Sequence, residues 1–177
     1  MSLLSARASL LAGMGEIKVA RKEGVLGCIG LGSCVGTLLY DPQTHTAGLA
    51  HVMLPEPHDN DWSLMPGKYA TTAVPTLLRE IGVNTSQASR LRALLIGGGE
   101  LFQNRSQTLK IGERNVETLQ QLMRDYRITL IFEDVRGSSG RSFEFDLSTG
   151  VVRVRKVGQP PTEHALAYAL GQMRPAV

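Results

Sequence analysis

Cys34 follows the stretch Gly30-Leu31-Gly32-Ser33 at the head of one apolar run, and His51 lies seventeen residues on, inside a second. A thiol attacks carbon only as its thiolate, and near neutral pH a histidine is the usual acceptor of its proton. If the two runs are neighbouring strands, Cys34 as nucleophile and His51 as base can act together on an acyl carbon. The glycines leave room for a substrate, and the Gly32-Ser33 turn can face a reacting carbonyl with backbone N–H groups. Each residue also has a plainer reading: a buried cysteine is usually a small hydrophobe, and a histidine on an apolar strand is often a hydrogen-bonded core residue. The pairing favours chemistry over either role alone. His45, His58 and His164 read as solvated.

Cys28 precedes Cys34 by six residues. Three roles stand open for it: a silent core residue, an orienting group for the imidazole, or a resolving thiol. The C-x5-C spacing fits no common zinc pattern, and no nearby pair completes a site. Gly30-Leu31-Gly32 lacks the third glycine of a dinucleotide loop, and Gly97-Gly98-Gly99 lacks the Lys-Ser/Thr of a phosphate loop. No metal and no cofactor is expected.

The elements that must position this pair follow from pattern. Ile17–Ala20, Val25–Gly30, Val35–Tyr40, Ala47–Leu54, Leu91–Ile96, Ile128–Val135, Arg141–Asp146 and Val151–Val157 read as strands, with 35–40 and 47–54 forming a hairpin. Apolar residues at helical spacing predict helices over 66–81, kinked at Pro75, and over 112–126. A short helix is predicted over 162–173, outside a core of about 16–157. Residues 55–67, with three prolines and Trp62, read as a long loop of the kind that often carries function. The chain reads as one α+β domain over 1–177, its helices covering a mixed sheet system.

Bulk properties narrow the classes. Net charge is +3 with scattered basic residues, which gives no nucleic-acid footprint. Two cysteines make no disulfide framework. No apolar run is long enough to span a bilayer, and residues 1–15 read as a frayed or docking segment rather than a secretory signal. The expectation is a cytoplasmic protein with reduced thiols and no membrane insertion.

Gly-Leu-Gly-Ser-Cys at 30–34, Tyr40-Asp41-Pro42, Ala50-His51-Val52-Met53-Leu54-Pro55 and Pro66-Gly67-Lys68-Tyr69-Ala70 resemble, in order, the CheD family of chemoreceptor glutamine deamidases. So do Gly97-Gly98-Gly99-Glu100-Leu101-Phe102, Ile111-Gly112-Glu113-Arg114-Asn115-Val116 and Glu133-Asp134-Val135. The resemblance implies a β-sandwich of mixed sheets flanked by helices, similar to the cytotoxic necrotizing factor catalytic domain. It implies deamidation of glutamines on the cytoplasmic helices of chemoreceptors (methyl-accepting chemotaxis proteins), and the CheC phosphatase as partner. Cys34 and His51 match the family's nucleophile and base. The family's third catalytic residue is a threonine where this chain has Cys28, so a catalytically weak receptor- or CheC-binding module is the competing reading. A cysteine peptidase is disfavoured, since no Asn or Asp orienter stands at a recognisable place. Phe102 reads either as a core plug or as a residue of the face that meets CheC or receptor.

Overall fold

The computed structural model describes residues 9–58, 65–102 and 110–171. Its elements in chain order are β1 (Ser9–Leu11), β2 (Ile17–Arg21), β3 (Val25–Leu31), β4 (Val35–Asp41), β5 (Thr46–Val52), α1 (Ala70–Glu80), β6 (Arg92–Gly97), α2 (Ile111–Asp125), β7 (Thr129–Val135), β8 (Arg141–Asp146), β9 (Val151–Lys156) and β10 (Thr162–Ala165). Two five-stranded sheets result, ordered β1-β3-β8-β9-β10 and β2-β5-β4-β6-β7. Both are mixed: β1 runs parallel to β3, and β6 parallel to β7, while the other pairs are antiparallel.

The layering explains the unbroken apolar runs. Every residue of β4 and β5 is buried. One face of that hairpin packs on the other sheet, with Leu38, Tyr40 and Leu49 against Leu26, Phe143, Phe145 and Val152. The opposite face packs beneath the helices, with Val35, Leu39, Ala50 and Val52 against Ala73, Leu77, Val116 and Leu119. A strand covered on both faces has no solvent side, so alternation disappears from its sequence. The expected α+β sandwich with helices is the observed fold.

The hairpin register decides where Cys34 and His51 fall, and the turn that sets it is tied down. Asp41 accepts from the Gln43 N–H at 3.0 Å and the Thr44 hydroxyl at 2.9 Å. Arg90 closes on the same carboxylate with both prongs of its guanidinium, at 3.0 and 2.8 Å. A one-residue slip would move every side chain to the other face, so this anchor fixes the face on which His51 lies.

Several expectations need correction. The helix predicted over 66–81 is a 3-10 turn at Pro66–Lys68 followed by α1 from Ala70, which runs through Pro75. The helix predicted over 162–173 is instead strand β10 plus a turn. Thr162–Ala165 pairs antiparallel with β9, because the free edge of that strand offers ladder hydrogen bonds, and Leu170 is buried in the inter-sheet core. Of residues 1–15, expected to be frayed or docking, Ser9–Leu11 docks by pairing with Val25–Gly27, and Ala12 is buried. His45 and His164 are half-buried rather than solvated, His45 bonding the Tyr40 hydroxyl at 2.7 Å and His164 lying 4.8 Å from the Phe132 ring. Trp62, in the long loop, lies outside the described residues.

Candidate active site

On the inter-sheet face of the β4–β5 hairpin, His51 stands directly opposite Gly36. Cys34, two residues before Gly36, lies one step along on the same side and packs at the margin of the inter-sheet core. Diagonal neighbours of this kind have backbones roughly 7–8 Å apart. His51 is 3% exposed, whereas Cys34 is half-buried. The imidazole is therefore sheltered, while the thiol at its edge keeps an opening to solvent.

Cys28 approaches from the facing sheet. It is fully buried, and its Sγ lies 3.5 Å from where a Cβ on Gly36 would stand. That same Cβ would fall 2.4 Å from the Phe143 ring, so a glycine at 36 is what lets β3 and β8 close over the hairpin here. Past Cys28 the β3–β8 register shifts, leaving Ile29 and Gly30 exposed before Leu31 re-enters the ladder. This bulge swings the chain out into the Gly32-Ser33 turn that carries Cys34.

The imidazole is oriented by main chain. His51 Nδ1–H donates to the Ala12 carbonyl at 2.9 Å, since a carbonyl can only accept. Nε2 of the neutral ring is thereby the unprotonated nitrogen, the form needed to take a proton from sulfur. The strap continues on either side of the strand: Gly15 N–H donates to the His51 carbonyl at 2.9 Å, and His51 N–H to the Glu16 carbonyl at 3.0 Å. A carbonyl on an alanine has no signature in a sequence, so residue-type reasoning missed it.

The turn is held from behind. The carbonyls of Gly32, Ser33 and Cys34 accept, in order, from Gly99 N–H at 2.8 Å, Asn115 Nδ2 at 3.0 Å and Gly98 N–H at 2.8 Å. Asn115 Nδ2 also donates to the Met53 carbonyl at 2.9 Å, just beyond His51 on β5. The Gly97-Gly98-Gly99 and Ile111-Gly112-Glu113-Arg114-Asn115 motifs thus converge behind Cys34. A Cβ on Gly112 would fall 2.6 Å from the Gly99 carbonyl, which is why α2 can come this close. Asn115 was legible in one respect: it is a polar residue on the buried face of a helix, alongside Gly112, Val116 and Leu119.

Burial pushes the Cys34 thiol above its ordinary value, and its own backbone N–H pulls it partly back. The shift favours the neutral thiol over the thiolate. Burial, then the nearness of Cys34, pushes Cys28 up to about 12, so it stays a neutral thiol. Phe102 is 77% exposed and is not a core plug. Leu101 beside it packs on the turn, within 2.9 Å of a would-be Cβ on Gly32.

Comparison with known proteins places the chain. The family model described as CheD chemotactic sensory transduction matches residues 53–156, beginning two residues after His51. "Probable chemoreceptor glutamine deamidase CheD" of Pyrococcus abyssi is 44% identical over 146 residues, covering 82% of this chain and 90% of the relative. "Chemoreceptor glutamine deamidase CheD" of Thermotoga maritima is 40% identical with the same coverage. A relative from Desulforamulus reducens is 35% identical over 162 residues, covering 90% of this chain and 98% of its own length. The chain belongs to the CheD family. Among the described residues, no helix is long and apolar enough to cross a membrane.

Proposed function

We propose that this protein is a protein-glutamine deamidase of chemoreceptors, working in the cytoplasm through Cys34 and His51. The observation that carries the reading is the shared face of the β4–β5 hairpin, where a half-exposed thiol stands diagonal to an imidazole whose Nδ1–H is already spent on Ala12. The names of the relatives supply the substrate class.

The steps follow from these groups. His51 Nε2 takes the Cys34 proton as sulfur bonds to the carboxamide carbon of glutamine, and the C=O electron pair moves to oxygen. Amide N–H groups of the Ser33-Cys34 turn stabilise that oxyanion. The oxyanion collapses, the C–N bond breaks, and the imidazolium gives its proton to the leaving ammonia. Water then attacks the thioester while His51 accepts its proton; the C–S bond breaks and Cys34 is re-protonated. The product is glutamate.

The substrate-facing surface lies beside the turn. A hollow of about 480 Å³ is lined by Gly30, Gly32, Leu101, Arg155 and Val157, with Ile29 and Phe102 exposed nearby. Apolar residues with a basic rim suit an amphipathic receptor helix laid into a groove. The exposure of Phe102 supports reading it as part of this face, where CheC would compete with receptor.

The test is ammonia release from a receptor cytoplasmic fragment, with conversion of glutamine to glutamate followed by peptide mass. Wild type should release ammonia and Cys34→Ala should not. Release by Cys34→Ala at the wild-type rate would overturn the proposal.

A further inference from the structure

We propose that Asn115 is a positioning residue for this reaction: it locks the Ser33–Cys34 peptide so that the Cys34 N–H faces the developing oxyanion. The inference rests on the reading of Cys34 as the nucleophile.

Asn115 sits on α2 and is fully buried, yet its side chain makes no bond to another side chain among the described residues. Both of its donated bonds go to main-chain carbonyls: Ser33, next to the nucleophile, and Met53, two residues past the base. One side-chain nitrogen therefore ties together the two chain segments that carry Cys34 and His51. Two acceptors on one group require two N–H donors, which an amide NH2 supplies and a carboxylate or hydroxyl does not. The reversed amide would set oxygen against two carbonyl oxygens, so the orientation is fixed. Its cost is visible: Asn115 Oδ1 is buried with no hydrogen-bond partner among the described residues. What the position gains in return is the pair of donated bonds that tie the two segments together.

Their effect follows from peptide geometry. In a planar trans peptide the carbonyl of one residue and the N–H of the next point to opposite sides. Gly32, Ser33 and Cys34 carbonyls are all drawn toward the Gly98-Gly99 backbone and α2. The Ser33 and Cys34 N–H groups are consequently turned the other way, and among the described residues neither donates to a backbone carbonyl. Two of the three restraints are backbone bonds that no substitution short of proline removes. The third, on the peptide that ends in the nucleophile, is Asn115. Without it the Ser33–Cys34 peptide is free to rotate its N–H away from the reacting carbonyl.

The experiment measures ammonia release by Asn115→Leu, similar in size but without a donor, and by the nearly isosteric Asn115→Asp. Turnover is expressed per folded molecule, the folded fraction being read from the urea-unfolding transition of each variant. Loss of one oxyanion donor predicts a kcat lower by about 10²–10³, with KM within about twofold. A purely structural role would reduce the folded fraction and leave turnover per folded molecule unchanged. Either variant retaining a third or more of wild-type turnover per folded molecule would overturn the proposal, provided Cys34→Ala is inactive. Release by Cys34→Ala at the wild-type rate would instead sink the nucleophile assignment beneath it.

Discussion

The Nδ1 of His51 lies 2.9 Å from the carbonyl oxygen of Ala12, thirty-nine residues away in sequence. That bond makes the N-terminal strand part of the site. Ala12 is itself held by its N–H, which donates to the Gly27 carbonyl at 2.9 Å. The consequence is a prediction about a residue with no reactive side chain.

Ala12→Pro removes the N–H that anchors this carbonyl and forces a different backbone there. Misplacement of a catalytic group by about 1 Å can cost on the order of 10²-fold. Turnover should fall by roughly tenfold to a hundredfold, with the Cys34 thiol still open to iodoacetamide. Steady-state ammonia release on both proteins checks this; unchanged kcat would show that the imidazole does not depend on Ala12.

Cys28 is not the partner of the imidazole Nδ1, whose bond goes to Ala12. Replacing it with the threonine of the family should therefore leave the rate nearly as it is. We expect Cys28→Thr to stay within about threefold of wild type in kcat/KM, a span of about 0.6 kcal/mol in transition-state energy. A tenfold or greater rise would mean that the native thiol compromises the site.

The Cys28 thiol is raised to about 12 in the folded protein, from an ordinary value of 9.0. An acid whose folded value is raised holds its proton longer in the native state. Its contribution is intact below pH 9.0 and is lost as pH climbs toward 12. Three units correspond to about 4 kcal/mol at most. Urea unfolding from pH 8 to 11 should show wild type losing stability faster than Cys28→Val, which has no proton to lose. Parallel curves for the two proteins would refute this.

Gly97 has φ +121°, and a Cβ there would sit 2.2 Å from the Cys34 carbonyl oxygen. Gly97→Ala must therefore push β6 away from the residue that carries the thiol. Overpacking of this kind costs about 1–3 kcal/mol. Because the displaced atom belongs to Cys34, the activity loss should exceed the stability loss. Thermal melting and ammonia release on the same preparation separate the two; equal losses would mean that the site tolerates the shift.

Local pattern determined a good part of this protein. Runs of β-branched and leucine residues closed by Asp41-Pro42 and Pro55 specify the strands on either side of the hairpin, and helical spacing of Val116, Leu119 and Met123 specifies α2. As candidates, Cys34 and His51 stood out in the sequence because their residue types, between glycines and on adjoining apolar runs, have few joint uses. Element edges were less legible, since Thr162–Ala165 becomes a strand only by meeting the open edge of β9. The rest of the site could not be read from residue types at all. Whether His51 faces Cys34 depends on a register fixed by Asp41 and Arg90. Its orientation depends on a carbonyl that every residue possesses, and the turn is held by donors from Gly98, Gly99 and Asn115. Sequence names the groups able to react; only packing brings sequence-distant backbone atoms within hydrogen-bond range of them, and that proximity decides which way each group points.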